Sequence, residues 1–443
     1  MPYSWLTLAS LRTQLATRLD DTTNVYWSQA ELTAYIQESL RCWQGLSGYW
    51  RGRFNFNLSQ GVFFYDLTAQ AGSLIPYTIK DSDLCSVMLF HLLEKQLSGG
   101  LYVGTDMFSL ADFTNALNNR RNQFLLETGM VLTRSTFVWP APPISQNALS
   151  DRTIDVRRAA WFNTSNVYST LWRTSEFAGS AFKKGWEIAP TDPPLTYSVA
   201  AEPPITMQLI PPPLNVGSVE MLSVSASPDL NPTAGVLLTI PDNFAWVVKF
   251  GALADLLNKA GQAQDMPRAA YCEQRWREGI EVARRHTSIV QAAINGILTP
   301  VNALQSFDSF NAGWQNLLQG TPNALALASW NLLAVSGPPD ANPYSVQCDV
   351  VQNAPVPVNP GDQVQIGREE LDAVVDYAVH LAMFKAGGQE FLSTTKLYDN
   401  LLRLAGVYNE ELKASVDFYQ PMSNRAIREE ILRPRRVPIE MEA

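Results

Sequence analysis

The chain has 443 residues, enough for roughly two to four domains around a sizeable core, and its 46% apolar content is ordinary for a folded protein. A net charge of −9 excludes a body built to bind polyanions in general. Charged residues make up only 17%, below the usual quarter, and twelve Trp accompany them, which fits either surface buried in an obligate assembly or Trp-rich cores.

Leu6, Leu8, Leu11, Leu15 and Leu19 recur at helical spacing and predict a first amphipathic helix, ended by Asp20-Asp21-Thr22-Thr23-Asn24. The opening MPYSWLTLASLRTQL has no basic stretch before an apolar core, so a signal peptide is not expected. Trp27-Ser28-Gln29-Ala30-Glu31 reads as a capping box, in which Ser28 caps a second helix and Glu31 reaches back. Leu32, Tyr35, Ile36, Ser39, Leu40 and Trp43 form one face of that helix. Phe54–Leu58 alternates apolar and polar, Ser59-Gln60-Gly61 turns, and Val62–Leu67 is extended, which predicts a β-hairpin. A first helix pair is expected over 81–126.

From 137 to 149 the chain is Pro-rich and reads as a linker or arm. Strands are expected at 196–199, 206–210, 218–224 and 236–240, with Pro211-Pro212-Pro213 keeping its neighbours at an edge or in a loop. A second helix pair is expected over 242–294, with Pro267 opening its second helix. Further strands are expected at 324–327, 331–335, 345–350 and 363–366, before a third helix pair over 369–413. From 415 the chain reads as an extended basic arm.

The three helix pairs look like copies of one unit. IPDNFAWVVKFGALA from Ile240 carries Val247, Val248 and Phe250. IGREELDAVVDYAVHLA from Ile366 carries Val374, Val375 and Tyr377, and IKDSDLCSVMLFHLL from Ile79 carries Val87, Met88 and Phe90. An aromatic anchor follows the first Val of each motif after 26, 24 and 24 residues: Phe113, Tyr271 and Tyr398. The expected core anchors are therefore Val87, Phe90, Phe113, Val247, Phe250, Tyr271, Val374, Tyr377 and Tyr398. The expected fold class is α+β, mainly helical, with repeated helix-pair modules alternating with small β domains and extended terminal arms. The divisions fall at 1–136 (helical hairpin, β-hairpin and first helix pair), 137–153 (Pro-rich linker), 154–298 and 299–414 (each a β region with a helix pair), and 415–443 (basic arm).

Candidate chemistry is sparse. His91 and His380 lie in first helices beside apolar residues and read as surface or hydrogen-bonded core histidines; His286 follows Arg284-Arg285 near a helix end. No metal-ligand spacing, nucleophile elbow or phosphate-binding Gly-rich loop occurs. Asp20-Asp21, Glu369-Glu370 and Glu410-Glu411 lie at helix ends, where the dipole explains acids in a first turn better than acid–base chemistry does. Arg120-Arg121 and Arg284-Arg285 read as solvated helix faces or intersubunit ion pairs rather than phosphate contacts. For Arg425, Arg428, Arg433, Arg435 and Arg436 in the tail, docking onto a neighbouring subunit, nucleic-acid contact and disorder all stay open. Cys42, Cys85, Cys272 and Cys348 are scattered without CxxC and read as free thiols of a reducing compartment. No apolar run approaches the about 18 residues of a membrane span. No catalytic, cofactor-binding or metal-binding residue is assigned, and no cofactor is expected.

VYWSQAELTAYIQESLRCWQGLSGYWRGRF, through Trp27, Ser28, Glu31, Leu32, Ile36, Leu40 and Trp43, resembles the start of tailed-bacteriophage head-to-tail connection proteins. IPDNFAWVVKFGALADLL followed by RAAYCEQRWREGI, with Tyr271, Arg275, Trp276 and Gly279, is similar to the helix pair of phage neck and virion adaptor proteins. The two stretches cover about a third of the chain, and the β-like regions depart from the compact helical adaptors, pointing to a larger collar or neck component. The resemblance implies a non-enzymatic virion protein, assembled in the bacterial host cytoplasm as a homo-oligomeric ring, a dodecamer matching the portal. Its implied partners are the portal protein, tail or nozzle proteins and, transiently, genomic DNA in the channel. Alternatives are a tail nozzle, baseplate or minor capsid protein, and a soluble hydrolase.

Overall fold

The computed structural model describes residues 5–94, 107–140, 145–165, 167–182, 184–200, 205–226, 228–310 and 313–418. In chain order the elements are α1 (Leu8–Arg18), α2 (Gln29–Ser47), β1 (Arg51–Asn57), β2 (Phe64–Asp66), α3 (Leu67–Gln70), α4 (Asp81–His91) and α5 (Leu110–Thr128). Next come β3 (Thr133–Val138), β4 (Gln146–Ala148), β5 (Thr153–Asn163), β6 (Tyr168–Arg173), α6 (Glu176–Phe182), β7 (Thr196–Ala200), β8 (Thr206–Ile210) and β9 (Gly217–Ser225). The helices α7 (Ala245–Leu257) and α8 (Met266–Arg285) lead into β10 (Ile289–Ile294), β11 (Ile297–Thr299), β12 (Val301–Ala303) and α9 (Leu304–Phe310). The chain continues with β13 (Ala324–Ser329), β14 (Leu332–Ser336), β15 (Ser345–Val351), α10 (Arg368–Ala386), α11 (Gly388–Ser393) and α12 (Thr395–Phe418).

Local signals set the helix ends. Ser28 accepts from the Glu31 N–H and Glu31 accepts from the Ser28 N–H, the expected capping box, and Gly48 ends α2 at a φ of 61°. Ser109 and Asp112 cap α5 in the same way. Pro267 opens α8, where its missing N–H costs nothing, and Asp265 caps it.

The fold is not mainly helical: 43% is helix and 24% strand, in three sheets. Two have four strands, ordered β1-β15-β10-β11 and β12-β13-β14-β2. The third has seven, ordered β3-β9-β5-β6-β7-β8-β4, antiparallel except at β6–β7. Nor are the helix pairs repeated modules. The helix α7 packs most on α8 but also on α5, α10 lies against both α12 and α2, and α4 meets α2, α7 and α10. The physical reason is in the α7 sequence. AWVVKFGALADLL is apolar all round and is buried on nearly every position, so one partner helix cannot cover it. A single apolar core therefore runs through the helices and both four-stranded sheets. A second fills the concave side of the seven-stranded sheet around Trp139, Trp161, Tyr197, Leu209 and Val219.

Other expectations are corrected too. The anticipated hairpin does not form: β1 pairs with β15 and β2 with β14, in different sheets. At 236–240 and 363–366 there are only single bridges, Lys80 to Leu237 and Thr7 to Gln363. The helix α8 stops at Arg285, and 289–294, expected as helix, is the strand β10. The stretch 137–149 carries the end of β3 and all of β4, the two edges of the large sheet. The expected strands at 196–199, 206–210, 218–224, 324–327, 331–335 and 345–350 do form.

Candidate functional site: an arginine box, a buried lysine and an exposed apolar end

Three of the expected core anchors converge on one cation. Arg275 of α8 is fully buried, and its guanidinium lies 3.8 Å from the Tyr398 ring centre, 5.2 Å from Phe250 and 5.6 Å from Tyr377, with Trp246 at 4.7 Å. It donates to the Tyr377 hydroxyl at 2.7 Å and to Glu278 at 3.1 Å, and Tyr398 donates to the same Glu278 oxygen at 2.9 Å. Tyr271 joins the cluster edge-on to Phe250 and is hydrogen-bonded to His380 at 2.7 Å. Val247 and Val374 are buried in the same core. Phe113 is buried beside Phe108, and Val87 and Phe90 are only partly buried, so the first unit does not share this box.

Next to the box lies a buried ion pair. Lys249 of α7 is wholly excluded from solvent and donates to both carboxylate oxygens of Glu38 at 2.5 and 2.7 Å, with His91 Nε2 at 3.2 Å. Burial lowers the Lys249 pKa, with Glu38 opposing the shift. Burial, then the Lys249 charge, holds His91 well below its ordinary value. Burial likewise pushes His380 down to about 3 and His286 to about 4. All four cysteines are free and buried, Cys42 pushed up by burial to about 11 and Cys85, Cys272 and Cys348 to about 12. Groups so placed lock α2, α4, α7, α8 and α10 together; they cannot meet a dissolved substrate. Lys249 and Glu38 were not singled out in the sequence. The available signal was a lone Lys inside a helix apolar on all sides, which forces an ion to be buried and paired.

At least one member of each doubled charge in the described residues has a partner within the chain. Asp21 accepts from the N–H groups of Val25, Tyr26 and Trp27, Glu370 accepts from the Tyr408 hydroxyl, and Glu410 pairs with Lys413. Arg120 pairs with Asp255 and Glu273, Arg121 is buried and donates to the Pro228 carbonyl, and Arg284 and Arg285 pair with Glu281. A further cluster fastens the seven-stranded sheet to 304–316: Arg158 is bidentate to Asp308 at 2.8 and 3.0 Å, and Glu220 accepts from Arg134 at 2.6 Å and Gln315 at 2.9 Å. Arg425, Arg428, Arg433, Arg435 and Arg436 lie outside the described residues. Among the described residues no group of His, Cys, Asp or Glu has the make-up of a metal site, and no helix is long and apolar enough to cross a membrane.

Several large apolar side chains of the described residues face solvent around the seven-stranded sheet. Trp172, Phe177, Ile188, Leu195, Leu214 and Val216 are between 47% and 89% exposed. Backbone bonds tie their segments together: Trp172 N–H to Leu195 O, Thr191 N–H to Pro212 O, and Leu214 N–H to Thr191 O. A comparison with protein-family models and with curated proteins finds no match for this chain.

Proposed function

We propose that the chain is a non-enzymatic structural subunit of a tailed-phage virion. In this reading it assembles in the host cytoplasm into a ring, a dodecamer matching the portal, that joins the portal vertex to tail or nozzle proteins. The ring's lumen passes genomic DNA in transient contact, with no cofactor and no membrane insertion. The observation that carries the reading is the exposed apolar end of the seven-stranded sheet. A patch of this kind marks a protein–protein contact. The buried arginine box and lysine pair support it by giving a rigid wall, and the Trp27–Trp43 and Tyr271–Gly279 resemblances supply the head-to-tail setting. A closed ring repeats one heterologous contact by rotation, so every copy buries the same patch.

The test is a Phe177→Asp/Ile188→Asp double variant. Both side chains are more than 80% exposed, so the fold should hold within about 0.5 kcal/mol. By mass photometry the variant should stay out of assemblies that the unaltered chain forms, alone or with portal protein. Unchanged assembly by a variant of unchanged melting temperature would refute the patch as the contact.

A further inference from the structure

The seven-stranded sheet curls into a half-barrel. Its edges are β3 and β4, and among the described residues neither has a second strand partner. Trp139 N–H bonds to Gly217 O, and Leu149 N–H to Ile205 O. Alternation then points the N–H and C=O groups of Arg134, Thr136 and Val138 on β3, and of Gln146 and Ala148 on β4, away from the sheet. Both edges line one cavity of about 570 Å³, with Ser135, Phe137, Leu149, Met221 and Ser223 on its walls. The Ser135 hydroxyl is buried there without a partner.

We infer that the gap between these edges receives residues 436–441 of a second copy of the chain as an eighth strand. The inference rests on the self-association proposed above for the identity of the donor. After Phe418 the sequence has 25 more residues, which extended span about 80 Å. The helix α12 ends beside β10 and β15, where Val416 packs with Val290 and Val351, and not at the gap. Within the segment, Val437, Ile439 and Met441 alternate with Arg436, Pro438 and Glu440. That period of two puts three apolar side chains toward Phe137, Leu149 and Met221 and leaves both charges outside. Main-chain bonds to two free edges give the affinity, and Pro438 forgoes only one of them.

The test uses the full chain carrying Thr136→Cys and Glu440→Cys, treated with a short bismaleimide; the four native thiols are buried, and the unaltered chain is the control. A ladder of crosslinked multimers is expected on a denaturing gel, and it should be lost when Val437→Asp and Ile439→Asp are added. An intrachain loop, no product, or a ladder that survives the aspartates overturns the inference. Mass photometry on the same samples separates it from the ring reading. Assembly without a ladder removes strand exchange and leaves the ring; a ladder from a chain indifferent to portal protein keeps strand exchange and removes the ring.

Discussion

Lys249 is held by one carboxylate in a place water does not reach, and that fixes what its replacement should do. Lys249→Met strands Glu38 as a buried, unpaired charge and should cost about 3–5 kcal/mol in urea unfolding, whereas Lys249→Met/Glu38→Leu removes both charges and should recover most of that loss. A single variant losing less than about 1 kcal/mol would mean the pair is solvated, contrary to its geometry. At this scale the sequence was readable where the chemistry is local. The Ser28/Glu31 box needs only three residues of spacing, and it formed. Arg275, Tyr377 and Tyr398 were each visible as pattern residues, but their meeting was not, because it depends on α8, α10 and α12 crossing at one point.

The contact of α7 with α8 is set by two glycines. A Cβ on Gly279 would stand 2.4 Å from Val247 Cγ2, and one on Gly251 would stand 2.6 Å from Trp276. Gly279→Ala should therefore destabilise by about 1–3 kcal/mol, although alanine is the better helix former. Gly406→Ala in α12, where nothing lies within 4 Å, should instead stabilise by about 0.5–1 kcal/mol. Thermal melts of the two variants should shift in opposite directions; the same direction would contradict the packing. Strands were harder to read than helices. Phe54–Leu58 and Val62–Leu67 have hairpin chemistry, yet their partners are Ser345–Val351 and Leu332–Ser336, nearly three hundred residues on. Local turn preference is worth little against the burial that those long-range ladders complete. The sequence of β5 also has bulges, at Ile154 and Arg157, that hide its alternation.

Across the whole molecule the three histidines act together. His91 and His380 are buried and His286 is half-buried, and burial lowers the pKa of all three, so below the ordinary value of about 6.5 the unfolded chain gains protons that the folded chain refuses. Stability is then full above that value and falls as the pH drops. The slope between pH 6 and 5 should approach about 4 kcal/mol per pH unit, at most about 1.4 from each histidine. His286→Leu should take away about a third of that slope in urea unfolding followed against pH; an unchanged slope would show that His286 titrates normally in the fold. The longer helices and about half of the strands were legible from periodicity, but β3 to β6 and β10 to β12 were not, nor was the joining of the helices into one core, because a repeat of sequence motifs says nothing about which copies share a partner. The most direct test of the account is the mass of the purified chain, alone and mixed with portal protein, by native mass spectrometry or mass photometry. A discrete high-order ring, formed alone or on adding portal protein, is the predicted result; a chain that stays monomeric and ignores portal protein would contradict the account.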